Sequence, residues 1–478
     1  MTVAFTSDRD APLYAPHEKI YPQSVKGTFR TLKWRISRLL LGIYFLTPWL
    51  RWERGPGAPT QAVLMDIDGR RAYFFMFDIW PQEVYYLAGL LIFGAVTLFL
   101  ATALWGRVWC GFTCPQTVWT DLFMLAGRII DGDRNKRMKL DKAPMSLNKA
   151  AKRILKHAVW LVISVLSGLT FLLYFNDAPT ATIDILTGHG GPWVSAIVIL
   201  LTVTTYVFAG MLREHFCIYM CPWLRFQGAM FDEDSLLVTY EEWRGEPRGV
   251  AKVGSSFDGR GHCINCSKCV LVCPTGIDIR NGQQVECIGC ALCIDACNGV
   301  MNKFGLPPGL ITYDCETTQV ARAKGQLKKS RLLRPRTAAY AIILVLIAGY
   351  MSYDFISRKN LAINVQADRS PLFVSLSDGS IRNGYTFKIL NMENESRNFT
   401  LSTRGIKDAA LHVIGNEVDE ADTVNLAVGP DKVGAFRVFI RAVRKNLSGK
   451  ATAVTFLLKD KKTGEVFEHN AKVRGPGG

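Results

Sequence analysis

Along the chain, uncharged apolar runs alternate with polar stretches in two rhythms. The long runs come first: Val84 to Gly106, Ala158 to Phe175, Pro192 to Leu212 and Thr337 to Tyr353, each close to the ~20 residues a helix needs to cross hydrocarbon. An earlier run, about residues 36–52, is interrupted by Arg38 and Pro48, and it reads either as a further span or as a buried or interfacial helix. From residue 357 the rhythm shortens. LAINVQA, YTFKILNM, RNFTLS, FRVFIRA and AVTFLL alternate apolar and polar positions between DGS, NG, GP and KKTGE turns, the pattern of strands in a small β-sandwich of immunoglobulin type.

Charge settles how these runs are expected to be threaded. Lys and Arg number seven in residues 1–38, four in 51–83, eleven in 105–157, none in 176–192 and sixteen in 213–336. Basic loops face the cytoplasm, so the N-terminus, residues 105–157 and residues 213–336 are assigned inside. Unless residues 36–52 also cross, the basic tail is left outside. The expected fold is therefore a multi-domain membrane protein: a tail over 1–35 and a membrane domain over 36–222, with spans at about 36–52, 84–106, 158–175 and 192–212. A cytoplasmic region follows over 223–336, then a fifth span at 337–356 and an all-β domain over 357–478 on the periplasmic side of a bacterial inner membrane. The tail carries Pro12, Pro16 and Pro22 and no apolar core, so neither a folded domain nor a cleaved signal peptide is expected there. The net charge of +16 over 478 residues points to lipid flanks rather than nucleic acid, because most of it borders the apolar runs.

Cysteine spacing brings in the chemistry. CINCSKCVLVCP and CIGCALCIDACN, within the thirty-five residues Cys263 to Cys297, repeat C-x2-C-x2-C-x3-C, the spacing of a bacterial two-cluster ferredoxin. In that arrangement the fourth cysteine of each run serves the other cube. One [4Fe-4S] cluster is assigned Cys263, Cys266, Cys269 and Cys297, and the other Cys287, Cys290, Cys293 and Cys273. The domain carrying them is placed at about 258–305. Paired zinc knuckles are the alternative for C-x2-C repeats, but zinc does not call for two interleaved runs of this form. Pro274 follows the first run as the spacing expects, whereas Asn298 stands in its place after the second.

A second motif, C-x3-C-P, occurs at Cys110 and Cys114 and again at Cys217 and Cys221, each time after a span ends at the inner face. The two hairpins read as an internal duplication whose pseudo-twofold gathers four cysteines at one depth. Soft thiolates together select Cu(I), zinc or an iron–sulfur cluster, or cycle as a dithiol; buried structural cysteines are the plainer alternative. These four are the candidate copper or redox site, with His215, Met220 and Met124 as further soft ligands nearby. Cys315 obeys no spacing rule and reads as structural. His189 reads equally as a turn residue or a ligand. All thirteen cysteines fall on the side assigned to the cytoplasm, where thiolates are kept reduced. The aromatic segment AYFFMFDIWPQE, residues 72–83, reads as an interfacial belt and strand.

The order of spans, C-x3-C-P pairs, ferredoxin insert and exported β-domain resembles the cytochrome c oxidase accessory protein family known as FixG, RdxA or CcoG. The C-x3-C-P repeat is also similar to membrane polyferredoxins of the NosR and NapH type. The first resemblance covers almost the whole chain. It implies a membrane iron–sulfur protein that reduces Cu(II) to Cu(I) for assembly of a cbb-type oxidase, a cupric reductase served by a cytosolic electron donor. It further implies oxidase subunits or copper chaperones as partners, beside membrane lipid, and a homo-oligomer is compatible with it. Cys110, Cys114, Cys217 and Cys221 match the family's membrane cysteine motifs. The competing expectations are a scaffold or redox sensor without catalysis, and a membrane conduit to a periplasmic reductase.

Overall fold

Among the described residues four helices are long and apolar enough to cross a membrane: Pro81–Trp105, Leu147–Leu173, Pro192–Leu212 and Pro335–Ile356. They carry the four uninterrupted apolar runs of the sequence, the first two runs overshooting their helices by Gly106 and by Tyr174 and Phe175. The computed structural model describes residues 19–476 except 56–57, 358–360, 393–394, 416–420 and 431, so Pro12, Pro16 and the rest of the tail's first part lie outside the described residues. The second of these helices starts well before the expected Ala158. Ser146 caps it, its hydroxyl accepting from the Lys149 amide at 3.3 Å, so a polar turn precedes the apolar run.

The interrupted run departs from expectation. Residues 36–52 do not form one helix; a helix runs over Thr28–Leu46 and a 3-10 turn over Thr47–Trp49. Its start is set from far away in sequence, because the Asp295 carboxylate accepts the amides of Phe29 at 3.2 Å and Arg30 at 2.7 Å. Such a carboxylate satisfies orphan donors and complements the helix dipole. Gly27 is required there: a Cβ would lie 2.3 Å from Asp295 Cγ. Pro48 lacks the amide that would continue the α-helical ladder, and the chain tightens there into the 3-10 turn although Thr47 keeps helical backbone angles. At the far end, Tyr44 donates to the Ser167 carbonyl at 2.7 Å and accepts at its own carbonyl from Tyr174 at 3.0 Å. The helix thus runs from the cysteine-rich domain to the C-terminal end of Leu147–Leu173.

The expected coreless tail also needs correction from Lys19 onward. Gln23 donates its amide to the Leu271 carbonyl at 2.8 Å, Ser24 bonds Asp133, and Arg30 and Lys33 are buried. Buried partners, not apolar periodicity, hold this stretch.

The chain divides into two compact units, Met1–Trp52 with Gln61–Met351, and Glu53–Thr60 with Ser352–Gly478. In the first, the aromatic segment near residue 75 belongs to a three-stranded sheet, Val63–Asp66, Arg71–Phe74 and Phe77–Ile79. The cysteine-rich domain is framed by the antiparallel pair Leu237–Tyr240 and Ile311–Asp314, with helices Lys268–Val272 and Leu292–Lys303 between them. The second unit is a two-sheet β-sandwich. Ile381–Asn391 lies between Lys432–Ala442 and Leu361–Ala367 in one sheet, and Ala451–Asp460 lies between Arg397–Arg404 and Val466–Arg474 in the other. Alternate residues fill the interior: Tyr385, Phe387, Phe399, Leu401 and Phe456 are essentially inaccessible, and the Phe387 and Phe456 rings meet edge to face at 4.8 Å. One charge is buried among them with its partner, Arg397 on Asp460 at 3.2 Å.

Candidate metal centres

Eight of the cysteines line two adjacent cavities. Cys263, Cys266, Cys269 and Cys297 share the first, with about 360 Å³ of atom-free space. Cys273, Cys287, Cys290 and Cys293 share the second, also about 360 Å³, with Cys269 in the wall between. Each foursome takes three cysteines from one run and the last from the other.

The backbone explains how short loops achieve this. In CINCSKC, Asn265 and Ser267 have φ of 53° and 54°; in CIGCALC the matching Gly289 and Ala291 have 68° and 58°. Three of these four are not glycine, and left-handed backbone costs such residues roughly 1 kcal/mol each. That strain wraps the loop around a space so that its three sulfurs converge. Arg280 braces the first loop by donating to Asn265 Oδ1 at 2.7 Å and to Asp278. Asn298 departs from the proline of the other run, and the helix continues through it to Lys303 while its side-chain oxygen accepts the Gly309 amide at 2.9 Å.

The donor set fits a cubane. Burial pushes the thiol of Cys269 up to about 11, and those of Cys290 and Cys297 up to about 12. Buried thiolates are tolerated only beside a compensating cation, which an iron–sulfur core supplies.

The C-x3-C-P pairs form a second constellation, and the two copies are built alike. Each follows a left-handed residue, Gly106 (φ 60°) or Arg213 (φ 39°). Each places its first cysteine in a π-turn, Trp109–Thr113 or Phe216–Met220. Each closes with the second cysteine's amide on the residue five before it, Cys114 to Trp109 at 2.8 Å and Cys221 to Phe216 at 2.9 Å. The proline then opens or precedes a new helix. Gln116 joins the copies, its amide donating to the Phe208 carbonyl at 2.8 Å and the Arg213 carbonyl at 3.3 Å. All four thiols interact: Cys110 is affected by the charge on Cys114, Cys217 and Cys221, and Cys217 by that on Cys114 and Cys221. Burial pushes both Cys110 and Cys217 up to about 12.

This constellation abuts the second ferredoxin cavity. Cys110 packs in one buried cluster with Ile288, Cys290 and, at its edge, Cys293. The loops approach backbone to backbone: a Cβ on Gly111 would lie 2.7 Å from the Gly289 carbonyl oxygen, and one on Gly289 would lie 3.1 Å from Arg107. Arg107, buried, donates to the carbonyls of Cys287 at 2.7 Å and Leu224 at 3.0 Å. A further cavity holds Lys33, Asp121, Met124 and Cys217 on one side and Thr275 and Ile288 on the other. There both carboxylate oxygens of Asp121 accept from Nη1 of Arg30, at 2.9 and 3.0 Å. Sequence reasoning missed Arg107, Lys33, Asp121 and both glycines. Buried ions paired across the fold leave no local pattern, and neither does the partner of a closely approached glycine.

The other candidates are not gathered in. Cys315 is buried with its sulfur 3.3 Å from the Thr318 hydroxyl, a structural role. His189 Nδ1 bonds Thr187 at 2.9 Å within its exposed turn. His215 stacks on Tyr219, and Met220 is exposed.

Two adjacent cysteine-lined cavities beside apolar helices define a membrane iron–sulfur electron-transfer protein. Comparison with known proteins agrees: residues 212–316 match a family described as "4Fe-4S dicluster domain", residues 87–132 a "4Fe-4S binding domain", and residues 351–476 an "IG-like fold at C-terminal of FixG". The chain is 43% identical to "Nitrogen fixation protein FixG" of Rhizobium meliloti over 98% of its own length and 95% of that protein's. It is 47% identical to "Protein RdxA" of Cereibacter sphaeroides over 90% and 91%, and 44% to "Protein RdxB" of the same organism over 97% and 98%. It belongs to the FixG/RdxA family.

Proposed function

We propose that the chain carries electrons singly from a cytosolic donor to Cu(II), yielding Cu(I) for the copper centre of a cbb-type cytochrome c oxidase. Each turnover oxidises the donor by one electron and reduces one copper ion. A [4Fe-4S] cube, when bound, takes up and releases one electron at a time, matching the copper couple. The observation that carries the reading is the packing of the CGFTC loop on the CIGC loop, Gly111 against Gly289, which gives a route from the ferredoxin domain to the four membrane cysteines. Cys266 is exposed whereas Cys290 is buried, so the first cavity faces the donor and the second faces the membrane cysteines. Soft thiolates favour Cu(I) over Cu(II). A potential gap of about 180 mV already favours the one-electron transfer roughly a thousandfold.

Five spans, with the N-terminus and clusters cytoplasmic and the β-sandwich periplasmic, are part of this proposal. The helix Thr28–Leu46 begins at Asp295 of the ferredoxin domain and ends beside Tyr174, and Arg51 just beyond it pairs with Asp177 at 2.6 Å. That path supports its crossing alongside Leu147–Leu173. Oxidase subunits or copper chaperones are the partners proposed for the exported sandwich, whose folded core contains no cysteine.

Reporter fusions test the topology. Alkaline phosphatase fused after residue 155 is expected to be inactive and after Gly478 active, and activity at both points contradicts five spans. Anaerobic membranes supplied with reductant are expected to convert Cu(II) to chelator-trapped Cu(I) in proportion to the protein they contain. Loaded protein that supports oxidase assembly yet reduces no copper leaves a scaffold role instead.

A further inference from the structure

We propose that a basic cavity between the start of Leu147–Leu173 and the end of Pro192–Leu212 binds a phosphate-bearing anion, the group that an anionic phospholipid headgroup presents at that depth and that free phosphate carries in the cytosol. Its placement at the inner face rests on the proposed topology, whereas its chemistry is independent of copper.

The cavity is lined by Lys19, Arg137, Arg153, Lys156 and Arg213, with Asp141 as the acid in its wall, and it holds about 800 Å³ of atom-free space. That is more than twice the space in either cysteine cavity and within the range of roughly 300–1,000 Å³ found for small-ligand sites. Four separate stretches supply the walls: the chain just after its N-terminal tail, the helix Arg134–Lys142, the first turns of Leu147–Leu173 and the last turn before Arg213. The fold, and no local motif, gathers these charges.

The protein's own carboxylates do not balance them. Lys19 at 2.5 Å and Arg153 at 3.5 Å share Asp141, which also accepts from Tyr21 at 2.6 Å. Lys156 pairs with Asp131 at 2.7 Å and Arg213 with Glu214 at 3.3 Å. Five cations thus meet three carboxylates, an excess that a phosphodiester halves and a phosphate monoester largely cancels.

Arg137 carries the sharpest signal. It is 7% exposed, and its buried Nη1 has no hydrogen-bond partner among the described residues. Burial, and after it the charge of Arg213, holds its guanidinium below the usual arginine range, and Arg213 is itself only 8% exposed. Two neighbouring buried guanidiniums are costly unless an anion joins them. Their planar donors match phosphate oxygens in geometry.

Depth favours lipid as the source. Lys156 stands two positions before the apolar run that begins at Ala158, and Trp160 and Met211 continue the cavity wall on the apolar side. A headgroup phosphate sits at such a boundary, where tryptophan is also favoured, and its acyl chains would lie along the exposed apolar faces of the two helices.

The test uses the full-length, iron-loaded protein, purified anaerobically and stripped of lipid in a neutral detergent. Its melting temperature is followed against short-chain phosphatidylglycerol, the matching phosphatidylcholine and inorganic phosphate, since a ligand of the folded state raises that temperature. Phosphatidylglycerol is expected to raise it saturably and phosphatidylcholine to leave it unchanged. Arg137→Gln is expected to weaken the binding roughly tenfold or more, the worth of a charge-assisted hydrogen bond, at the parent's iron content. Lys329→Gln removes the same charge from the exposed flank of the last span and is expected to bind as the parent does. A response to inorganic phosphate alone, lost in Arg137→Gln, keeps the site and makes its ligand soluble. Equal weakening by both variants means diffuse attraction and overturns the proposal, as does a melting temperature indifferent to phosphatidylglycerol and phosphate alike. An Arg137→Gln protein that melts lower without lipid yet binds as tightly as the parent makes Arg137 structural and also overturns it. Copper reduction, measured separately on the same protein, stands or falls without regard to these results.

Discussion

Cys273→Ala and Cys287→Ala, though fourteen positions apart and in different C-x2-C-x2-C-x3-C runs, are expected to empty the same cube. Each single variant should lose about four irons, and the double variant should lose no more than either alone. Cys273 lines the second cavity together with Cys287, Cys290 and Cys293 of the CIGCALC loop, while Cys263 and Cys266 of its own run line the first. Ligands of one centre act as a unit, so their losses do not add. If instead each run closed its own cube, the double variant would lose about eight irons. Copper reduction should fall by at least a hundredfold in both single variants, since even residues supporting a ligand cost about 10- to 100-fold. Cys297→Ala should remove the other cube and leave the one beside the membrane cysteines loaded.

Gly111→Val is expected to fold, load its cubes and yet transfer electrons poorly. A Cβ at Gly111 meets the Gly289 carbonyl oxygen at 2.7 Å, the Gly289 carbonyl carbon at 2.9 Å and the Ile288 carbonyl oxygen at 3.0 Å. All three are backbone atoms, so no side chain can swing aside and the loops must part. Overpacking of this kind costs about 1–3 kcal/mol, within what a protein this size tolerates. Parting the loops lengthens the gap that electrons must cross, so copper reduction should slow several-fold at unchanged iron content. Gly299→Val is the control. Its Cβ meets nothing within 4 Å, and its helix lies on the same domain, so wild-type rates are expected there.

What could be read from the sequence was whatever depends on local spacing. The crossed grouping of eight cysteines, the four uninterrupted spans and the strands around LAINVQA, RNFTLS and FRVFIRA follow from periods of two, three and twenty residues. Ala410–Val413 and Val466–Arg474, whose alternation is weak, went unread because pairing partners rather than composition make them strands, whereas Thr423–Val428 alternates strictly in TVNLAV, buries every second residue and was legible though not among the strands expected. The first helix was misplaced for a different reason. Arg30 and Lys33 look solvated in the sequence and are buried on Asp121, and the cap at Asp295 is 265 residues from Arg30. Burial of such ions costs several kcal/mol unless paired, and the pairing is visible only in the fold. The contact of Gly111 with Gly289 was likewise unreadable, although it is what connects the ferredoxin domain to the membrane cysteines.

Copper reduction in a single turnover tests the account most directly. The anaerobic protein, reduced chemically and freed of excess reductant, is mixed with Cu(II) in the presence of a colorimetric Cu(I) chelator while the visible absorbance of the clusters is followed. One Cu(I) is expected for each electron's worth of absorbance recovered, at matching rates, with the Cys110→Ser, Cys217→Ser double variant keeping the ferredoxin signals and losing most of the rate. Clusters that stay reduced in the presence of Cu(II), in protein carrying its full iron, would contradict it.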